Sequence, residues 1–138
     1  MKTLLNNLPR IALLILAALG TLAGAGLSLE HLQYGEVCPM AGPIPACIIV
    51  FIGYLLIVSS TILLTHSTAR KLFYIGWTPV FLLALLGVTL ELGHALGFVQ
   101  DHICPPGAYN IPQCVFSLAM VLTCLGLFKL SLRKISAT

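Results

Sequence analysis

The chain has 138 residues, of which 59% are apolar and only 8% are charged. Soluble globular domains carry roughly 25% charged residues, so this composition excludes that class and predicts a membrane protein. The net charge of +3 comes from scattered residues and not from a basic arm, so we expect no nucleic-acid partner.

Four apolar segments have the length needed to cross a bilayer, which takes about 20 helical residues. In chain order they are residues 9 to 29, 46 to 65, 73 to 98 and 112 to 131. Long, uniformly apolar runs fit helices, whose backbone polar groups bond within the segment, and do not fit the alternating strands of a barrel. The sequence therefore predicts an all-α membrane protein, a four-helix bundle in the lipid bilayer.

The first segment has some features of a cleaved signal peptide, because Lys2 and Arg10 precede an apolar run that ends in small residues. We expect it to be retained as the first helix. Retention makes the number of crossings even and puts both termini on the same side.

The charged residues divide between the two sets of helix ends. The seven basic residues flank the termini and the connection between helices two and three: Lys2, Arg10, Arg70, Lys71, Lys129, Arg133 and Lys134. The four acids fall at or beyond the opposite ends. Because basic loops stay in the cytoplasm, both termini are predicted inside, with the other two loops facing the periplasm of a bacterial inner membrane.

The two halves of the chain, about 9–66 and 72–131, are predicted to be tandem repeats. The matching stretches are Gly26-Leu-Ser-Leu-Glu30 with Gly87-Val-Thr-Leu-Glu91, Cys38-Pro39 with Cys104-Pro105, and Ile44-Pro-Ala-Cys47 with Ile111-Pro-Gln-Cys114. Each half is one helical hairpin, so the halves share one orientation and are related by an axis along the membrane normal. Equivalent residues should then converge at the outer face.

Four of the five cysteines bracket the two outer loops, on the side where disulfides persist. Four cysteines allow three pairings; the repeat favours Cys38 with Cys47 and Cys104 with Cys114, and pairing across the halves stays open. Each bond can be a structural staple worth up to about 3 kcal/mol. Alternatively the pairs are redox-active, because Cys47 and Cys114 fall in the first turn of a helix, which favours the thiolate. The fifth, Cys124, is expected to be inert packing.

Ionisable residues mark the outer ends of helices one and three. Glu30 and His31 lie in the first half, and Glu91 and His94 lie on one face in the second, three residues apart. Three interpretations compete: hydrogen bonds to loop backbone, a polar wall that binds a quinone headgroup or relays its protons, and a cation site for zinc or copper. Beside Cys104, His102 can assist either functional role or be a solvated loop residue.

This layout of four helices, inner termini and a cysteine pair in each outer loop resembles the disulfide-bond-formation protein B family and, more distantly, the vitamin K epoxide reductase family. Such proteins pass electrons from thiols to a quinone held against the bundle. The resemblance implies that Cys47 is the quinone-proximal cysteine and that Cys104 and Cys114 exchange with a partner protein. Those families carry a Cys-x-x-Cys, whereas here eight residues separate Cys38 from Cys47.

The leading hypothesis is an inner-membrane thiol-disulfide redox protein that acts on a periplasmic thiol protein and is linked to quinone. Its catalytic residues would be the four loop cysteines, and Glu30, His31, Glu91 and His94 would bind the quinone. A second hypothesis is a non-enzymatic accessory subunit or assembly factor of a larger membrane complex, with structural disulfides. A third is metal or small-solute binding and transport through the Glu and His residues.

Overall fold

The computed structural model describes residues 1–65, 67–104 and 106–137, with the backbone alone at 2–6 and 108. Pro105 of the predicted repeat and the side chain of Lys2 therefore lie outside the described residues. Four helices dominate the chain: α1 (Lys2–Tyr34), α2 (Ala46–Ile62), α3 (Thr68–Ala95) and α4 (Gln113–Ser136). The prediction of four helices in an all-helical membrane-type chain is confirmed.

Three of the helices, α1, α3 and α4, are long and apolar enough to cross a membrane. Helix α2 has 17 residues, or about 26 Å at 1.5 Å per residue, whereas the predicted segment continued to residue 65. At the end of α2, Arg10 of α1 donates to the carbonyl oxygens of Thr61 and Ile62, which a further helical turn would otherwise bind. The helix gives way to a turn at Leu63.

The helices pack most closely in the half of the bundle remote from the cysteines, here called the basic end. Helices α1 and α3 each pack against both α2 and α4. The rings of Phe73 and Phe128 stack with centroids 3.8 Å apart, and Ile57 is fully buried in the same core. A methyl group on Gly53 would lie 2.8 Å from the carbonyl oxygen of Gly76, so α2 and α3 approach through these glycines.

The two cysteine-bearing loops, loop one (35–45) and loop two (96–112), close with the same pattern. In loop one, strands β1 (Met40–Ala41) and β2 (Ile44–Pro45) pair across a turn in which Gly42 has a φ of 73°. In loop two, Pro106 bridges to Pro112. Each bridge joins the residue two after the first cysteine to the proline two before the second. These strands were not predicted from the sequence; the tandem repeat stays a prediction with which this likeness agrees.

Arg10 of α1 ties the basic ends of α1 and α2 together. Its guanidinium donates to the carbonyl oxygens of Thr61 at 3.2 Å and Ile62 at 3.1 Å. The last carbonyls of a helix have no partner within the helix and carry its partial negative charge, so a cation there is favourable.

We expect Arg10→Ala to lower the free energy of unfolding by about 1–2 kcal/mol, because two carbonyls lose a charged donor. The measurement is thermal unfolding of the oxidised protein in detergent. Arg70→Ala is the matched control, since Arg70 is an exposed cation at the start of α3 with no hydrogen bond among the described residues. Equal effects of the two substitutions would contradict this role for Arg10.

Candidate functional site

The four loop cysteines form two disulfides, Cys38 with Cys47 and Cys104 with Cys114, with Cα separations of 6.0 Å and 6.1 Å. The within-loop pairing favoured by the repeat is therefore the one adopted. Cys38, Cys47 and Cys104 are at most 9% exposed, whereas Cys114 is half-buried. Each bond ties a loop to the helix that follows it.

The second cysteine of each pair occupies the first turn of a helix. Pro45 and Pro112 are the N-cap residues of α2 and α4, so Cys47 and Cys114 are each the second residue of their helix. The early amides of a helix have no intrahelical acceptor and carry a partial positive charge. A thiolate released at either position by reduction of its disulfide would be stabilised there.

Both disulfides lie in the wall of one half-open cavity of about 780 Å³ at the cysteine end, lined by residues of all four helices. The lining is mainly small and apolar, and its members include Gly20, Ala23, Gly24, Gly26 and Leu27 of α1, Val50 and Tyr54 of α2, Leu83, Ala84, Leu86, Gly87 and Leu90 of α3, and Phe116, Ser117 and Met120 of α4. Small-molecule sites in proteins are typically apolar clefts of about 300–1,000 Å³ with a few polar groups. The cavity has the size and character of a ligand site.

Two glycines of this wall, equivalent in the predicted repeat, have opposite surroundings. A methyl group on Gly87 would lie 2.6 Å from Sγ of Cys114 and 3.2 Å from Sγ of Cys104, so the second disulfide rests on the backbone of α3. A methyl group on Gly26 would have no protein atom within 4 Å. A side chain at Gly26, an exposed residue of the cavity wall, would therefore enter open space without displacing the protein.

Glu91 anchors loop two to the end of α3. Its Oε1 accepts hydrogen bonds from the amides of Ile103 at 3.0 Å and Cys104 at 2.9 Å, and Nδ1 of His102 lies 3.3 Å from Oε2. The carboxylate is only 9% exposed. These bonds offset the cost of placing a carboxylate at the end of an apolar helix.

Two histidines anchor the loops in a similar way. Nδ1 of His31 accepts the amide of Cys38 at 3.3 Å, and Nδ1 of His94 donates to the carbonyl oxygen of Val99 at 3.0 Å. The rings of His94 and His102 are in contact, with centroids 3.8 Å apart. In each half, the amide of the first cysteine is thus held by an ionisable side chain from the preceding helix.

The structure separates the residues that the sequence placed in one site. The four disulfide cysteines and Glu30 line the cavity, whereas His31, Glu91 and His94 bind loop backbone, the first of the three interpretations above. Among the described residues, no group of three His, Cys, Asp or Glu side chains is arranged to hold a metal ion. Cys124 is a buried free thiol in the core.

Tyr54 and Ser117 belong to the cavity wall and were not selected from the sequence. Tyr54 follows Cys47 by seven residues, or two helical turns, so the two share a face of α2. That spacing was the available signal, but a tyrosine within an apolar run is usually read as packing. The Tyr54 hydroxyl is buried with no hydrogen-bond partner among the described residues.

Comparison with protein-family models, with curated proteins and with solved structures gives no match for this chain. The resemblance in layout to the thiol-oxidising membrane families stays a prediction.

We expect the two loop anchors to protect different disulfides. Glu91→Ala leaves the amides of Ile103 and Cys104 without their acceptor, which costs about 1–3 kcal/mol and should speed reduction of Cys104–Cys114 by dithiothreitol. His31→Ala should instead speed reduction of Cys38–Cys47. Alkylation of the released thiols followed by peptide mass spectrometry measures each bond separately. The assignment fails if either substitution accelerates reduction of both bonds equally.

Proposed function

We propose that this chain is a thiol-disulfide redox protein of the bacterial inner membrane, with its cysteine loops on the periplasmic side and a molecule of the quinone class as electron acceptor. The observation that carries the proposal is the shared cavity: two disulfides from separate loops line one half-open, mainly apolar cavity between the four helices. A disulfide whose only role is to fix a loop does not have to line a cavity of this size.

The proposed cycle needs one partner protein with two thiols and one molecule that accepts electrons. A thiolate of the periplasmic partner attacks one sulfur of a disulfide, that S–S bond breaks, and the other cysteine leaves as a thiolate. The partner's second thiol then displaces the protein cysteine, so the partner gains a disulfide and the protein a dithiol. The bound quinone would take up the two electrons and two protons that restore the protein disulfide and would leave as quinol.

The residues of this chain have distinct parts in the proposal. Cys114 is the most exposed of the four disulfide cysteines, since it is half-buried and the others are buried, which favours loop two as the place of exchange with the partner. The helix starts at Cys47 and Cys114 stabilise a leaving thiolate. The proposal also includes exchange between the two pairs, which line one cavity, to carry electrons from loop two to Cys47.

The accessory-subunit hypothesis is the second candidate, and burial of the sulfurs is the observation that favours it. Three of the four disulfide cysteines are nearly inaccessible, and the amides of Cys38 and Cys104 are held by side chains of α1 and α3. A protein of this kind would resist mild reductants at both bonds and would keep its activity in its complex when the cysteines are replaced.

A trapping experiment separates the two candidates. In Cys104→Ser, the unpaired Cys114 thiolate should attack the disulfide of the oxidised periplasmic partner, whose other cysteine leaves as a thiolate, and the mixed disulfide should accumulate because Cys104 is missing. Non-reducing electrophoresis and mass spectrometry identify the adduct. Cys124→Ser, which removes the buried free thiol, is the control and should give no adduct. If Cys104→Ser and Cys38→Ser form no adducts and both wild-type disulfides withstand mild reductant, the redox function is excluded and the structural role remains.

A second experiment tests the cavity itself with two glycine substitutions. Gly26 lines the cavity and Gly126 does not, and a methyl group at either would meet no protein atom within 4 Å. Gly26→Leu should therefore reduce menadione-dependent thiol oxidation about tenfold or more by filling the space that a ligand needs. Gly126→Leu should leave the rate unchanged. Equal rates in the two variants would argue against the cavity as the site of the acceptor.

A further inference from the structure

A separate cavity of about 360 Å³ lies at the basic end of the bundle, between the start of α3 and the last turns of α4. We call it the basic pocket, and its lining consists of Ser67, Ala69, Arg70, Lys71 and Leu132. The proposed redox cycle does not use this pocket, because all four disulfide cysteines line the cavity at the other end.

A small residue of α3 accounts for the open space. The rings of Phe73 and Phe128 stack where α3 and α4 meet in the core. One turn nearer the basic end, the residues on the same two helix faces are Ala69 and Leu132, each four positions from its phenylalanine. Alanine does not fill the width that the stacked rings fill. Because Ala69 is buried and Leu132 is half-buried, the floor of the pocket is apolar.

The rim of the pocket carries two positive charges that no acidic side chain of the chain balances. Arg70 and Lys71 are exposed, and neither forms a hydrogen bond or ion pair among the described residues. On α3 the only acid is Glu91, about 30 Å from Lys71 at 1.5 Å per residue. Salt screens exposed charges beyond about 8–10 Å, and the other three acids also lie at the cysteine end. An anion from outside the chain can therefore pair with these cations.

We propose that the basic pocket binds a phosphate group, for which the headgroup of an anionic membrane phospholipid is the favoured source. Arginine binds phosphate through two parallel hydrogen bonds, and lysine binds it as a point charge. The Ser67 hydroxyl makes no capping bond to α3, so it is available as a third donor.

The position of the pocket favours a lipid over a soluble phosphate compound. Basic pockets between membrane helices are typical sites for anionic lipid headgroups. The pocket opens at the end of two helices that are long and apolar enough to cross a membrane, where headgroups lie. Its apolar floor at Ala69 and Leu132 suits the first carbons of an acyl chain. The inference is independent of the proposed redox function, since no cysteine takes part.

The test offers the oxidised protein, in a neutral detergent, an equimolar mixture of phosphatidylglycerol and phosphatidylcholine. The phosphate of phosphatidylcholine already has its own choline cation, so this lipid is the uncharged reference. Native mass spectrometry counts the bound lipids. The variant is Arg70→Gln with Lys71→Gln. The matched control is Lys129→Gln with Arg133→Gln, which removes the same charge from exposed residues of α4 outside the pocket lining.

The wild type and the α4 control should retain one phosphatidylglycerol in preference to phosphatidylcholine. The Arg70→Gln, Lys71→Gln variant should lose this preference about tenfold or more, because both cations near the phosphate are gone. Added phosphatidylglycerol should also raise the unfolding temperature of the wild type and of the α4 control, but not that of the variant.

Inorganic phosphate is the second arm of the experiment and distinguishes the two sources. Binding of inorganic phosphate that depends on Arg70 and Lys71, with no preference for phosphatidylglycerol, would support the phosphate site and assign it a soluble ligand. Two outcomes overturn the inference. One is an equal loss of phosphatidylglycerol in the variant and the α4 control, which would show non-specific attraction to the basic end. The other is a wild type that binds inorganic phosphate no better than the variant and does not prefer phosphatidylglycerol.

Discussion

The cysteine end of the bundle depends on covalent and hydrogen-bonded anchors because its interior is a cavity. Lipid is as apolar as the helix faces, so helices in a membrane associate through close packing and interhelical bonds and not through burial from water. At the basic end this packing is dense, as the stacked Phe73 and Phe128 rings show. At the other end two disulfides, Glu91 and His31 fix the loops to the helices. The bundle can thus keep a ligand-sized space open without losing its shape.

Much of the fold was predictable because the bilayer permits few solutions for an apolar chain. The number of helices and the approximate starts of α2 and α4 follow from the positions and lengths of the apolar segments. The end of α2 was missed because the apolar run continues past Ile62, whereas the contact of Arg10 with the carbonyls of Thr61 and Ile62 comes from a distant part of the chain. The small strands of loop one were missed as well, because two-residue strands have no periodicity to detect.

The site was predictable only in part, since sequence order does not say which way a side chain turns. The disulfide pairing followed from the repeat, and the cysteines do share one cavity. Glu30 and Glu91 are equivalent in the predicted repeat, but their side chains differ in direction. Glu91 turns to loop two, whereas Glu30 lines the cavity. Tyr54 was overlooked because a tyrosine in an apolar run is typical of core packing, and only coordinates place it in the cavity wall. Gly26 and Gly87 look alike in sequence and differ in what faces them.

The bond from Arg10 to the end of α2 bears on how the protein is made. The two carbonyls that Arg10 binds belong to Thr61 and Ile62, 51 and 52 residues further along the chain. The donor and both acceptors of these hydrogen bonds are therefore present once the ribosome has synthesised α2, before α3 is made. Because chains assemble from the N-terminus as they emerge, α1 and α2 can lock together as a pair first. The later helices then meet a surface that already carries half of the cavity wall.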